Sequence, residues 1–226
     1  MRASRDRQAG FTLIEMLVTT TVIGILATIA VPNLLAGRAA ANEAAVVGTL
    51  NAVGKAQFQF KALDLVDVNG DGGFEYGSLR ELTGRVAMRG TTEKLAPRLI
   101  GVSLSELDGN GWLPRNGYYI AMFLPDPTGV GIGEASISVS SVDPGLAADY
   151  WTCLAWPIAH GSTGRATFFI NQQGQILKTD EGAYSGTTKV PPAGAALVGL
   201  PPEQINSQSL AVDQTGADGH HWKVLR

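Results

Sequence analysis

Charge is scarce in this sequence, and cysteine scarcer still. Aspartate, glutamate, lysine and arginine make up 16% of its 226 residues, below the usual quarter. The one cysteine, Cys153, has no partner in the chain, which excludes a disulfide-stapled scaffold. The formal net charge is −3, so there is no basic footprint and nucleic acid is not an expected partner. No internal repeat is visible, and a hydrophobic share of 45% is too high for a disordered chain. The length suits one sizeable domain with something added.

The most informative absence is local. No charged side chain occurs between Met16 and Gly37, and Glu15 is the only charge from Phe11 to Leu35. A bilayer is spanned by about 20 such residues. Ahead of the run, Arg2, Arg5 and Arg7 stand against the single Asp6, which by the positive-inside rule keeps the N-terminus cytoplasmic. The apolar run is longer than the core of a secretory signal and carries a carboxylate near its start. An ordinary signal peptide, with Ala39-Ala40-Ala41 imitating a cleavage site, therefore fits badly. A plain membrane anchor accounts for the run but not for Glu15 or the Gly10–Phe11 junction.

Gly10-Phe11-Thr12-Leu13-Ile14-Glu15-Met16-Leu17-Val18 resembles the class III signal of type IV pilins and type II secretion pseudopilins. The resemblance covers roughly residues 8–38. It implies a leader of residues 1–10, cut after Gly10 by a membrane-embedded prepilin peptidase, and N-methylation of the new terminus at Phe11. Glu15 becomes the fifth residue of the mature chain, where the family carries a glutamate that pairs with a neighbouring subunit's amine and sets its register. Pro32 matches the family's proline in the hydrophobic stretch. Physical chemistry points the same way, because a carboxylate inside a membrane helix costs roughly 2–3 kcal/mol at mid-bilayer and so marks a functional position.

Beyond Pro32 the sequence turns alanine-rich and amphipathic. Val46, Leu50, Val53 and Phe60 fall on one arc at 100° per residue, with Lys55 opposite. Residues 11–63 are therefore expected as one helix of roughly 80 Å, with 11–35 as the transmembrane or filament-core part and a kink or melted turn at Pro32. Residues 64–226 are expected as an α+β head: a small antiparallel sheet against which the second half of the helix packs, in the manner of a pilin. Ser78-Leu79-Arg80-Glu81 reads as a capping box, and Ser103 to Glu106 as a second. Strands are expected over 118–124, 135–142, 150–158, 166–171 and 175–179, the last two as a hairpin, with Pro157 placing its strand at an edge or ending it early. After Tyr184 the Pro- and Gly-rich chain predicts weak structure.

Asp67-Val68-Asn69-Gly70-Asp71-Gly72 resembles the start of an EF-hand-type calcium loop, with oxygen donors at positions 1, 3 and 5 and glycine at 6. Glu75 falls at position 9, but position 12 is Ser78 rather than a bidentate glutamate. The rival reading is a polar turn. Calcium through Asp67, Asn69, Asp71 and Glu75 is the one cofactor the sequence suggests. Asp108 to Gly111 reads as a turn, the adjacent His220 and His221 cannot share a strand face, and Cys153, Trp151 and Trp156 read as core. There is no triad frame, zinc motif or paired-acid constellation, so no enzyme is expected.

The function implied is a structural subunit of a type IV pilus-like or type II secretion pseudopilus filament. Its partners would be copies of itself or related pilins, the prepilin peptidase, inner-membrane assembly machinery and, before assembly, the lipid bilayer. It would sit in the inner membrane first and in a periplasmic or extracellular filament afterwards. Two alternatives stand beside it: a surface-anchored, calcium-dependent binding module or minor adhesive pilin, and an ordinary exported protein.

Overall fold

Alanine and the other straight-chain residues between Arg38 and Ala62 favour helix, and the apolar run before them supports nothing else in lipid. The computed structural model, which describes residues 11–182 and 184–225, shows one helix there, α1 (Leu13–Ala62). It continues through Pro32. Neither a melted turn nor a break marks that position, because a proline removes only one backbone bond of the ladder and the turns on either side hold. The chain divides within α1, between Arg38 and Ala39, into two compact units.

In the second unit, α1 from Ala39 onward buries Val46, Leu50, Val53, Ala56, Gln57 and Phe60, the expected stripe with two additions. The stripe lies on one face of an antiparallel sheet. Its strands are β1 (Leu113–Arg115), β2 (Tyr118–Pro125), β3 (Gly131–Gly133), β4 (Thr152–Pro157), β5 (Thr167–Asn171), β6 (Leu177–Thr179), β7 (Gln214–Thr215) and β8 (His221–Val224), in the order β1-β2-β4-β5-β6-β8-β7 with β3 on β2. Two short helices, α2 (Leu79–Leu82) and α3 (Pro144–Asp149), complete the α+β head. The Ser78 capping box is present, Glu81 N–H donating to Ser78 Oγ and Glu81 Oε2 accepting from Ser78 N–H.

Three expectations need correction, and one alternative is decided. The period-two segment 135–142 is not a strand. Its serines close on one another, Ser141 Oγ donating to the Ser136 carbonyl at 2.8 Å and accepting from Ser138 N–H at 2.8 Å, the local competition that serine offers a backbone. Ser103 caps nothing: the turn there is a 3-10 helix, Val102–Ser105, begun by Gly101 without a side-chain cap. Of the two alternatives for Pro157 the second holds: it ends its strand one residue early, inside the sheet rather than at an edge. The chain after Tyr184 is not weakly structured. Ala193, Ala195, Ala196, Leu197, Ile205, Leu210, Ala211 and Trp222 are buried against the second face of the sheet, with Leu154, Trp156, Phe169 and Leu177. Backbone bonds such as Ala211 N–H to the Ala196 carbonyl (2.9 Å) and Gly194 N–H to that of Pro202 (2.8 Å) tie this layer together.

Candidate functional site

The first candidate is the start of α1. Glu15 does not stand alone: its Oε2 accepts from Thr12 N–H at 3.1 Å and from Thr12 Oγ1 at 2.9 Å, while Glu15 N–H donates to Thr12 Oγ1 at 3.3 Å. This is the reciprocal pairing of a capping box, with Thr12 at the cap and Glu15 three residues on. Phe11, directly before it, is exposed. Gly10 and the rest of residues 1–10 lie outside the described residues.

From Phe11 to Arg38 no side chain is buried. Leucine, isoleucine and valine line this stretch all round, Leu13, Ile23, Leu26 and Ile29 among them. Its hydroxyls are already satisfied within the helix: Thr19 donates to the Glu15 carbonyl at 2.7 Å, Thr21 to that of Leu17 at 2.8 Å and Thr28 to that of Ile25 at 2.7 Å. A contiguous apolar surface of this size demands cover by lipid or by other helices, and internally satisfied polar groups make either environment acceptable. Among the described residues this is the one helix long and apolar enough to cross a membrane.

The residues of the expected calcium loop lie close together and bond to one another. Asp67, Asn69 and Asp71 do share one turn, with Gly70 and Gly72 at φ +70° and +81°. Their oxygens, however, are occupied by the loop itself. Asp67 accepts from the N–H groups of Asp71 (3.2 Å) and Gly72 (3.0 Å), Asp71 Oδ1 accepts from Gly73 N–H (2.7 Å), and Asn69 Nδ2 donates to Asp71 Oδ2 (2.7 Å). Glu75 is buried beneath the loop and bonded to its backbone. It is 1% exposed, its Oε1 accepts from Val68 N–H at 2.9 Å, and its Oε2 faces Arg89 Nη1 at 3.2 Å as an ion pair. The Arg89 guanidinium therefore competes with any cation for Glu75. Among the described residues no group of three or more His, Cys, Asp or Glu is placed to hold a metal ion.

Sequence reasoning missed Arg89. Its Nε lies 3.2 Å from Glu81 Oε1, its N–H donates to the same oxygen at 2.6 Å, and its Nη2 donates to the Tyr76 carbonyl. Glu81 thus serves two roles, cap and counter-ion. Gln57 was also missed. Fully buried on the apolar stripe, it donates to the Gly77 carbonyl at 2.7 Å and accepts from Gly77 N–H at 3.0 Å. A glutamine on a stripe of Val46, Leu50, Val53 and Phe60 was a visible irregularity. Arg89, in a Gly- and Thr-rich segment, carried no such signal.

Elsewhere the expected bland roles hold. Asp108 Oδ1 accepts from Asn110 N–H and Trp112 N–H, both at 2.9 Å, as a turn should. His220 Nδ1 sits 3.0 Å from Glu181 Oε2. Trp151 and Trp156 are buried, and burial pushes the Cys153 thiol well above its ordinary range.

An apolar helix that begins at a Thr12–Glu15 cap and continues into an α+β head is the arrangement expected of a pilin-like fold. Residues 5–31 match the family described as "Prokaryotic N-terminal methylation motif", and in this segment the chain is similar to type IV pilins and type II secretion pseudopilins. Over 52 residues it is 46% identical to the type IV wide pilus major component PilA4 of Thermus thermophilus, covering 23% of this chain and 40% of that one. Over 61 residues it is 39% identical to the type II secretion system core protein G of Escherichia coli, 27% of this chain and 41% of the relative. Over 62 residues it is 42% identical to the type IV major pilin protein PilA of Myxococcus xanthus, 26% and 28% respectively. The chain spans less than half the length of these relatives. No solved structure matches it.

Proposed function

We propose that this chain is a structural subunit of a type IV pilus-like or type II secretion pseudopilus filament, assembling through the apolar half of α1. The observation that carries the reading is the coincidence of the methylation motif over residues 5–31 with a helix whose side chains from Phe11 to Arg38 are all exposed. In this reading a prepilin peptidase cuts after Gly10, Phe11 is N-methylated, and the subunit waits in the inner membrane with its head outside. Inner-membrane assembly machinery then transfers the helix from lipid into a bundle of like helices, with copies of itself or related pilins as neighbours. The energetic logic is that lipid and a helix bundle are both apolar, so the transfer is decided by polar contacts. Glu15 supplies one: its carboxylate exchanges the Thr12 cap for the free amine of a neighbouring Phe11. Pro32 leaves the Thr28 carbonyl without its helical donor, a polar group that a neighbour in the bundle can satisfy.

Calcium at Asp67, Asn69 and Asp71 is a separate and lesser proposal. With Glu75 committed to Arg89 the turn offers two carboxylates and an amide, and it would bind at the weak end of the extracellular range, about 10⁻⁴–10⁻³ M.

The experiment is mass spectrometry of the mature N-terminus from native cells, with sheared filaments and membranes analysed side by side. Methylated Phe11 in the filament fraction is the expected result. A mature chain starting near Asn42 would overturn the reading in favour of a cleaved secretory signal.

A further inference from the structure

Charge in the head is segregated along the chain. Between Asp64 and Glu75 there are four acids and no base; between Arg85 and Arg98 there are four bases and one acid, Glu93. Folding buries one of each, with Glu75 paired to Arg89. The rest stay at the surface. Arg85, Lys94 and Arg98 are exposed and line one cleft of about 370 Å³ that has no carboxylate in its walls. Gly84 brings these cations together. Its φ is +64°, and a Cβ there would lie 2.6 Å from the Leu95 carbonyl oxygen, so the chain leaving α2 runs directly against residues 94–98. Leu99 N–H, donating to the Leu82 carbonyl at 3.1 Å, closes the same contact. A cleft walled by charge of one sign concentrates its field on an incoming anion. The turn from Asp64 to Gly73 has the opposite character. Asp64 and Asp71 are exposed and Asp67 is partly so. The amides of Asp71, Gly72 and Gly73 hold the Asp67 and Asp71 carboxylates in place, so little ordering entropy is lost when they dock. Among the described residues the ion pairs engage none of these three acids and none of these three bases.

We propose that the Arg85–Lys94–Arg98 cleft receives the Asp64–Asp71 turn of a second copy of this chain. This contact rests on the filament reading and adds to it a specific pairing between heads. The two surfaces match in number of charges and oppose in sign, and every copy supplies both in equal amount. A contact between two different surfaces of like subunits is heterologous, and where its rotation does not close it repeats into an open helical row. Glu93 is exposed next to Lys94 but does not line the cleft. Exposed ion pairs are individually weak, so the contact sets register and partner choice more than total affinity. The apolar half of α1 supplies the remainder.

The test is charge reversal in full-length chains that replace the native copy in its own cells, with sheared filament measured against processed subunit in the membrane. Arg85→Glu with Arg98→Glu is expected to lower filament yield roughly tenfold while the membrane pool stays unchanged. Asp64→Lys with Asp71→Lys is expected to do the same. Each doubly substituted chain meets its own kind with like charges. Co-expressed, the two offer each other opposite charges at both contacts, and most of the yield is expected to return. Wild-type yield from the arginine variant overturns the proposal and leaves the filament reading standing. A loss that co-expression does not recover also overturns it, and assigns the cleft to a different anion. Absence of filaments from the wild type itself overturns the filament reading, and this contact with it.

Discussion

Leu26 and Leu50 belong to the same helix and live in opposite surroundings. Leu26 is 60% exposed, and Leu50 is fully buried against the sheet. Residue type and local conformation are the same, so neither explains the difference. What differs is the neighbour each half of α1 is given by its own chain. The second half has a partner in the head, matched by a stripe of four expected residues plus Ala56 and Gln57. The first half has an apolar surface on every side and satisfied hydroxyls, and its own unit buries none of it. One half is a finished structural element; the other awaits an environment.

The comparison can be broken most decisively at the N-terminus. Gly10→Leu is expected to leave the precursor uncut, seen as a single slower band on an immunoblot of cell membranes. Equal cleavage of variant and wild type would show that the junction is not a processing site. Glu15→Val is expected to preserve insertion and cleavage but to lower filament incorporation by tenfold or more, about the worth of one charge-assisted contact. Wild-type filament yield from the valine variant would remove Glu15 from assembly.

Inside the head the effects are thermodynamic. Arg89→Met strips two buried carboxylates of their cation and is expected to cost about 3–5 kcal/mol in the denaturant unfolding of the full chain in detergent. A loss below about 1 kcal/mol would mean that Glu75 and Glu81 are relieved by protonation or water. Leu50→Ala is expected to cost about 2–5 kcal/mol, whereas Leu26→Ala should leave head unfolding unchanged; equal losses would erase the distinction between the halves of α1. The smallest effect concerns the Asp67 turn. At ten times its dissociation constant calcium would stabilise the head by only about 1.4 kcal/mol, a shift of a few degrees that Asp67→Ala and Asp71→Ala should both abolish. The same shift in the variants would assign it elsewhere.

Much of this architecture was legible because it is local. The helix, the Ser78 capping box, the strand at Tyr118–Pro125 and the hairpin of β5 and β6 all rest on signals within a dozen residues. The second layer over the sheet was not, because its buried residues are mostly alanines in a Pro- and Gly-rich setting, where no periodicity marks an inside. Yet a clue lay in its partners. Tyr118 to Leu124 and Thr152 to Pro157 are near-continuous apolar runs, not alternating ones, which is how strands covered on both faces read. At the start of α1, Glu15 stands out in the sequence as the one charge of the apolar run. Thr12 as the partner of Glu15 was also in plain view, since Thr12-Leu13-Ile14-Glu15 has the same capping-box spacing as Ser78-Leu79-Arg80-Glu81. The Arg89 cluster was not readable: two acids and a base meet from residues 75, 81 and 89 through turns that carry no periodicity.

Cys153 offers the head a private gauge. It lies in β4 at the centre of the sheet, fully buried, with its thiol held in the protonated, unreactive form. A thiol of this kind answers a maleimide only while the sheet is open, and there is no second cysteine in the chain to confuse the count. The rate of labelling therefore reports the fraction of heads that are open at any moment. The same shielding means that heads crowded together in an oxidising compartment cannot become cross-linked through this sulfur unless they first come apart.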